Sequence, residues 1–263
     1  MLPSPHTALD HLANVEALLV CMDFDGTICP LGTDAYTVTP DPRAISALEA
    51  LAELPGTDVA ILSGRHLDGL RRVCPLGPPV TLVGSHGAEP ASGGPELSED
   101  ERAYLDDIHH QLEQLISGLP GTFVETKPYQ RVLHVVKLAA SDPEAAAALL
   151  QRAMELPTHG RPVTPGHDIL EFSAVDITKG SWLATEKTNY AATLFAGDDV
   201  TDETALAVLD TRPGADVGVK VRAADAATTA DIADTAANYQ LSSVKEVAAF
   251  LTDLAEARRS ARG

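Results

Sequence analysis

The chain has 263 residues, 44% of them hydrophobic, enough to fill the core of one large domain or two modest ones. Its 38 acidic against 19 basic residues give a formal charge of -19, which excludes a nucleic-acid partner, because grip on a phosphate backbone needs clustered Lys and Arg. Cys21, Cys29 and Cys74 show neither metal-ligand spacing nor a disulfide framework, no apolar run nears the ~20 residues of a membrane span, and no Lys or Arg precedes Arg43 as in a secretory leader, so the expectation is a soluble cytoplasmic protein without a membrane partner.

The first predicted strand, ALLVCMDF (17–24), is followed by helix 41–54, strand 58–64, helix 66–73 and strand 80–87. Continuously apolar strands alternating with helices predict a parallel sheet covered on both faces. A Gly- and Pro-bearing stretch (89–99) then leads to helix 100–116, to TFVETK and RVLHVVKLA (131–139) as a hairpin, to helix 142–156, and to RPVT and DILEFS around a PGH turn. That order predicts an antiparallel sheet with two helices on one face. Beyond 173–177 the first rhythm returns with KGSWLATEKT, AATLFAGDD, TDETALAVLD, ADVGVKV and a closing helix near 242–259. The expected fold is therefore α/β: a doubly wound, Rossmann-like parallel-sheet core from 1–99 and 175–263, with 100–174 as an inserted small α/β cap. Arg258, Arg259 and Arg262 read as favourable charge at a helix C-terminus. Trp182 reads as core, His109 and His110 as helix surface, and His159 and His167 as turn residues.

Ligands of open α/β sheets bind outside the carboxyl ends of the strands. Strand one delivers Asp23 and Asp25 there, in the stretch DFDGT, two carboxylates that repel each other unless a cation joins them. Strand two delivers Ser63, Gly64 and Arg65, and strand three Gly84, Ser85, His86 and Gly87. After the insert come Lys179 and Gly180, then Asp198, Asp199 and Asp202 in AGDDVTDE. Mg2+ favours carboxylate oxygens and retained waters, and a Lys with a Ser hydroxyl suits the oxygens of a phosphoryl group, leaving one carboxylate as nucleophile.

DFDGT, SGR, KG and GDDVTDE, in that order, resemble the four motifs of the haloacid dehalogenase superfamily of phosphatases. The resemblance implies that Asp23 attacks phosphorus to form an aspartyl-phosphate, and that Asp25 protonates the leaving oxygen and then activates water. It implies that Ser63 and Lys179 grip phosphoryl oxygens. It assigns Mg2+ to Asp23, the backbone carbonyl of Asp25 and Asp198, with Asp199 or Asp202 orienting waters or the lysine. Gly64, Arg65, His86 and Gly87 are assigned to substrate.

The cap stretch VETKPYQRVLHVV, with GSHGAE before it, looks like the trehalose-6-phosphate phosphatase family. That resemblance places Glu125, Lys127, His134 and Glu171 on the sugar and implies a sugar phosphate substrate, with a sugar-phosphate synthase as a working partner. Carboxylates and a Lys suit a disaccharide, whose hydroxyls both donate and accept. The chain departs from the family pattern at Val136, where an arginine is expected after the His strand, at Ser173 and Ala174, where Arg-Pro is expected, and at Gln130, usually a serine. The expectation is trehalose 6-phosphate. A related sugar or cyclitol phosphate and a non-catalytic ligand-sensing relative stand as alternatives.

Overall fold

A computed structural model of the chain describes residues 2–32, 36–166, 168–222 and 235–262. His167 lies outside them. In chain order the elements are α1 (Leu9–Asn14), β1 (Leu18–Met22), α2 (Pro42–Ala52), β2 (Thr57–Leu62), α3 (Leu67–Val73), β3 (Thr81–Gly84) and β4 (Glu89–Pro90). There follow α4 (Glu99–Ile116), β5 (Phe123–Thr126), β6 (Gln130–His134), α5 (Val136–Ser141), α6 (Pro143–Met154), β7 (Val163–Gly166) and β8 (Ile169–Ser173). The last group is α7 (Lys179–Glu186), β9 (Ala192–Gly197), α8 (Glu203–Leu206), β10 (Val217–Val221), β11 (Tyr239–Leu241) and α9 (Val244–Arg262). Two compact units result, Met1–Gly93 with Ile177–Gly263, and Gly94–Asp176. No helix among the described residues is long and apolar enough to cross a membrane.

The first unit holds a seven-stranded sheet ordered β11-β10-β9-β1-β2-β3-β4, parallel except for β4. β1 sits at its centre between β2 and β9, which is why its residues LLVCM are apolar without alternation. Leu18, Val20 and Met22 pack with Leu48 and Leu51 of α2 and Leu251 of α9, while Leu19 and Cys21 pack on the other face with Leu183 of α7 and Leu206 of α8. Trp182, read as core, lies half-buried against this second layer. The strand order reverses at β1, with β2 on one side and β9 on the other, and such a reversal opens a crevice at the carboxyl ends.

The second unit is an antiparallel sheet, β5-β6-β8-β7. Strand alternation sends Leu133, Leu170 and Phe172 into one layer with Tyr104, Ile108 and Leu112 of α4 and Leu149 of α6. The residues between them, Glu125, Gln130, His134 and Glu171, fall on the opposite face.

Three expectations change. The strand read as 131–139 stops at His134, because the Val135 N–H donates to the Asp168 carbonyl at 2.9 Å, next to the turn into β8, where Asp168 has a left-handed φ of 54°. Val136 then opens α5, a third helix in this unit, in a stretch rich in helix-forming Lys, Leu and Ala. The strand read as 80–87 ends at Gly84, and Ser85–Gly87 form a single 3-10 turn. Arg258 is not tail surface. Its side chain is fully buried and clasps the amino ends of the central strands.

Candidate active site

The Asp23 N–H extends the β1 ladder to the Ala196 carbonyl of β9 at 2.9 Å, and the chain then turns sharply, with the Phe24 carbonyl accepting from the N–H groups of Ile28 and Cys29. Gly26 makes that turn possible, for its φ is 78° and a Cβ there would lie 2.1 Å from Asp198 Oδ2. Asp198 is thereby seated against the turn that carries Asp25.

Lys179 opens α7 behind a capping box in which the Thr178 hydroxyl accepts from the Ser181 N–H and the Ser181 hydroxyl accepts from the Thr178 N–H. From there the buried ammonium donates to Asp23 Oδ1 at 2.6 Å and to Asp202 Oδ1 at 2.7 Å. Asp202 Oδ2 accepts from the N–H groups of Asp198 and Asp199, each at 3.0 Å. One carboxylate therefore shapes the acidic loop and holds the lysine. Oxygens of Asp23, Asp198 and Asp202 lie within 4.8 Å of one another. Asp199 stands outside that trio, its Oδ1 accepting from the Thr201 N–H and hydroxyl as a turn cap.

The electrostatics fit a hard divalent cation among these oxygens. Burial, then Asp202 and Asp199, push the Asp198 carboxyl up to about 8. Burial likewise raises Asp23 well above the usual range, in spite of Lys179. Burial works against the Lys179 charge, but Asp202 and Asp23 overcome it and raise the ammonium well above its ordinary value. The single lysine leaves the acidic set under-neutralised. A carboxyl that titrates higher in the native than in the unfolded chain binds a proton on folding, so it favours the fold at acid pH and loses that contribution as pH rises. Metal-stripped protein is therefore expected to lose stability between the ordinary aspartate value of 3.8 and about 8, and a saturating divalent cation to remove that slope. Denaturant midpoints at about pH 5 and about pH 8, with chelator or with metal, check this; equal chelator midpoints would refute it.

On the other side of the turn after β1, Ser63 is buried and its Oγ accepts from the Arg65 N–H at 3.1 Å. Arg65, expected on substrate, reaches Asp25: Nε donates to Oδ2 at 2.6 Å and Nη2 to Oδ1 at 2.7 Å. His86 lies over Gly64, where a Cβ would fall 2.6 Å from the ring, which is why that position is glycine. Ser85 and His86 have φ of 47° and 55°, two successive strained residues, and their N–H groups donate to the carbonyls of Arg65 and Ser63. Gly87 follows at φ 109°, with room for a Cβ denied by Trp182 at 2.8 Å. Cys29 is buried and burial pushes its thiol up to about 12, consistent with no catalytic role.

Within the cap, the four expected sugar residues form two pairs on the sheet face opposite its helices. His134 Nε2 is 2.9 Å from Glu125 Oε2, and Lys127 Nζ donates to Glu171 Oε2 at 2.7 Å. The Phe123 ring stacks on His134 at 4.3 Å.

Sequence reasoning missed Lys220, which supports the acidic loop by donating to the Asp199 carbonyl at 3.1 Å and to Glu203 at 2.9 Å. A lysine inside the apolar strand VGVKV was the available signal.

The trehalose-phosphatase family profile matches residues 21–245. A trehalose-phosphate phosphatase of Mycobacterium tuberculosis is 31% identical over 255 residues, covering 92% of this chain and 62% of that protein. One from Mycobacterium ulcerans is 31% identical over 200 residues, 71% of this chain and 50% of that one. The chain thus spans about half to three-fifths of the length of these curated relatives. The C-terminal domain of a C. albicans trehalose-6-phosphate phosphatase superposes with a TM-score of 0.78 at 20% identity, covering 97% of this chain and 98% of that one. Since the matched stretch begins in β1 and runs through the cap and the acidic loop into the last helix, this chain belongs to the trehalose-phosphatase family.

Proposed function

We propose that the chain is a Mg2+-dependent phosphatase that hydrolyses trehalose 6-phosphate to trehalose and phosphate. The observation that carries this reading is the buried Lys179 bridge between Asp23 and Asp202, with Asp198 within reach of both carboxylates. Asp23, Asp198 and the backbone of Asp25 would hold the ion, which supplies charge neutralisation for the phosphoryl oxygens. Lys179 occupies one Asp23 oxygen and orients the other for in-line attack. The Asp23 oxygen–phosphorus bond forms as the ester bond breaks, and Asp25 passes its proton to the departing sugar oxygen. Water then attacks phosphorus, giving its proton to Asp25, and the bond to Asp23 breaks with release of phosphate. The Ser63 hydroxyl, Gly64, His86 and Gly87 are assigned to the phosphate ester side. Glu125 with His134, and Lys127 with Glu171, supply paired donors and acceptors for sugar hydroxyls. A synthase that builds the disaccharide phosphate is the partner reaction this chemistry requires, and the three free, buried cysteines accord with a cytoplasmic home.

Phosphate release from trehalose 6-phosphate, glucose 6-phosphate, sucrose 6-phosphate and a cyclitol phosphate tests the reading. The expected result is preference for trehalose 6-phosphate by about 10-fold or more, abolished by chelator and restored by Mg2+. Glu125→Ala is expected to lower kcat/KM on the disaccharide about 10-fold or more while changing 4-nitrophenyl phosphate hydrolysis little. Activity that persists in chelator, or no release from any ester, would overturn the proposal.

A further inference from the structure

Asp25 is carried not by a strand but by the turn after β1, and its side chain is 29% exposed, so nothing in the backbone alone fixes its rotamer. Arg65 supplies that constraint. One planar guanidinium spans both Asp25 oxygens, at 2.6 and 2.7 Å, across a sequence separation of 40 residues. Arg65 is itself held at three points. Its guanidinium carbon lies 5.7 Å from the centroid of the Phe24 ring, its backbone N–H is tied to the Ser63 hydroxyl, and its backbone carbonyl accepts from the strained Ser85 at 2.7 Å.

We infer that Arg65 is a positioning residue for proton transfer, holding Asp25 where it meets the departing sugar oxygen and, afterwards, the attacking water. The inference rests on the phosphatase reading above. It replaces the expectation that Arg65 serves as a direct substrate contact. Proton transfer falls off steeply with misplacement, so loosening Asp25 costs most where the leaving oxygen most needs the proton. An alkoxide cannot depart from phosphorus without that proton, whereas a nitrophenoxide departs nearly unaided.

The test is kcat/KM for a series from 4-nitrophenyl through phenyl phosphate to an alkyl sugar phosphate, because kcat/KM reads only the steps up to the first phosphoryl transfer. The unmutated chain is expected to depend weakly on the leaving group. Arg65→Met should lose about 10^2-fold or more on the alkyl ester and about 3-fold or less on 4-nitrophenyl phosphate. Arg65→Lys, which offers a point charge in place of a fork, should fall between the two and keeps the test alive where the methionine variant does not fold. On an Asp25→Ala background, Arg65→Met should cost little more, since both act through one group. A uniform loss across the series, or full additivity with Asp25→Ala, would overturn the inference while leaving the phosphatase reading intact. Inactivity of the unmutated chain towards every ester would sink the phosphatase reading and the Arg65 role together.

Discussion

Asp23→Asn is expected to lower phosphate release by about 10^4-fold or more while the protein stays folded and still binds sugar phosphate. An amide oxygen is a poor nucleophile towards phosphorus and cannot carry the phosphoryl group as a stable acyl phosphate. The fold survives because Lys179 retains Asp202 at 2.7 Å, so the substitution does not strand a buried ammonium. Stability should hold or rise in chelator near neutral pH, because burial and the neighbouring Asp202 and Asp198 already disfavour charge on Asp23, with Lys179 opposing them only in part. Rapid acid quench with labelled substrate should find label on the unmutated protein during turnover and none on the variant. Ordinary turnover by the asparagine variant would reject Asp23 as nucleophile. A marked fall in its melting temperature would instead make the Asp23–Lys179 pair chiefly structural.

The parts of this protein that were legible in the sequence are those where local pattern and chemistry coincide. Continuously apolar runs such as LLVCM located the central strands, since a parallel strand is covered on both faces and has no polar side to show. Asp23 and Asp198 could be grouped because every parallel strand ends on the same side of its sheet. What the pattern did not carry was partner choice among like groups. Asp199 and Asp202 are both acidic residues of one loop, and only the fold shows that Asp202 turns inward to Lys179 while Asp199 caps a turn on Thr201. Arg65 followed a serine and a glycine, which suits a phosphate contact equally well. Its fork on Asp25 depends on the turn at Gly26, a tertiary fact. In the cap, HVVKLA is apolar enough for a strand, but β6 loses its partner where β8 begins at Ile169, and the backbone beyond turns helical. Arg258 of α9 was misread for a related reason. A charged residue near a chain end resembles helix-dipole compensation unless its buried acceptors are visible.

Those acceptors make Arg258 the site of the largest expected loss of stability away from the acidic cluster. Its Nε donates to Thr57 Oγ1 at 2.5 Å, Nη1 to the carbonyls of Leu12, Ala13 and Val15 at 2.9, 3.3 and 2.8 Å, and Nη2 to that of Gly56 at 2.5 Å. These groups are the end of α1 and the entries to β1 and β2, so one side chain of α9 closes the amino edge of the central sheet. Arg262 adds bonds to the carbonyls of Val15 and Glu16. The guanidinium has carbonyl and hydroxyl partners in place of a carboxylate, and burial, with Arg262 beside it, lowers its pKa to about 10. Two effects of Arg258→Met therefore oppose each other. Removing a buried charge returns its desolvation cost, but several buried acceptors lose charge-assisted bonds worth about 1.5–3 kcal/mol each. With five bonds lost and an apolar replacement that satisfies none, the second effect wins, and a net loss of about 3 kcal/mol or more is expected. Arg259→Ala, at an exposed position one residue on, should change stability by less than about 0.5 kcal/mol. Denaturant midpoints of the two variants check the contrast. The fraction of Arg258→Met that remains folded should keep the kcat/KM of the unmutated chain, because the clasp binds the amino ends of β1 and β2 whereas Asp23 and Ser63 follow their carboxyl ends. A stable Arg258→Met protein would show that water or backbone adjustment satisfies the four carbonyls without the arginine.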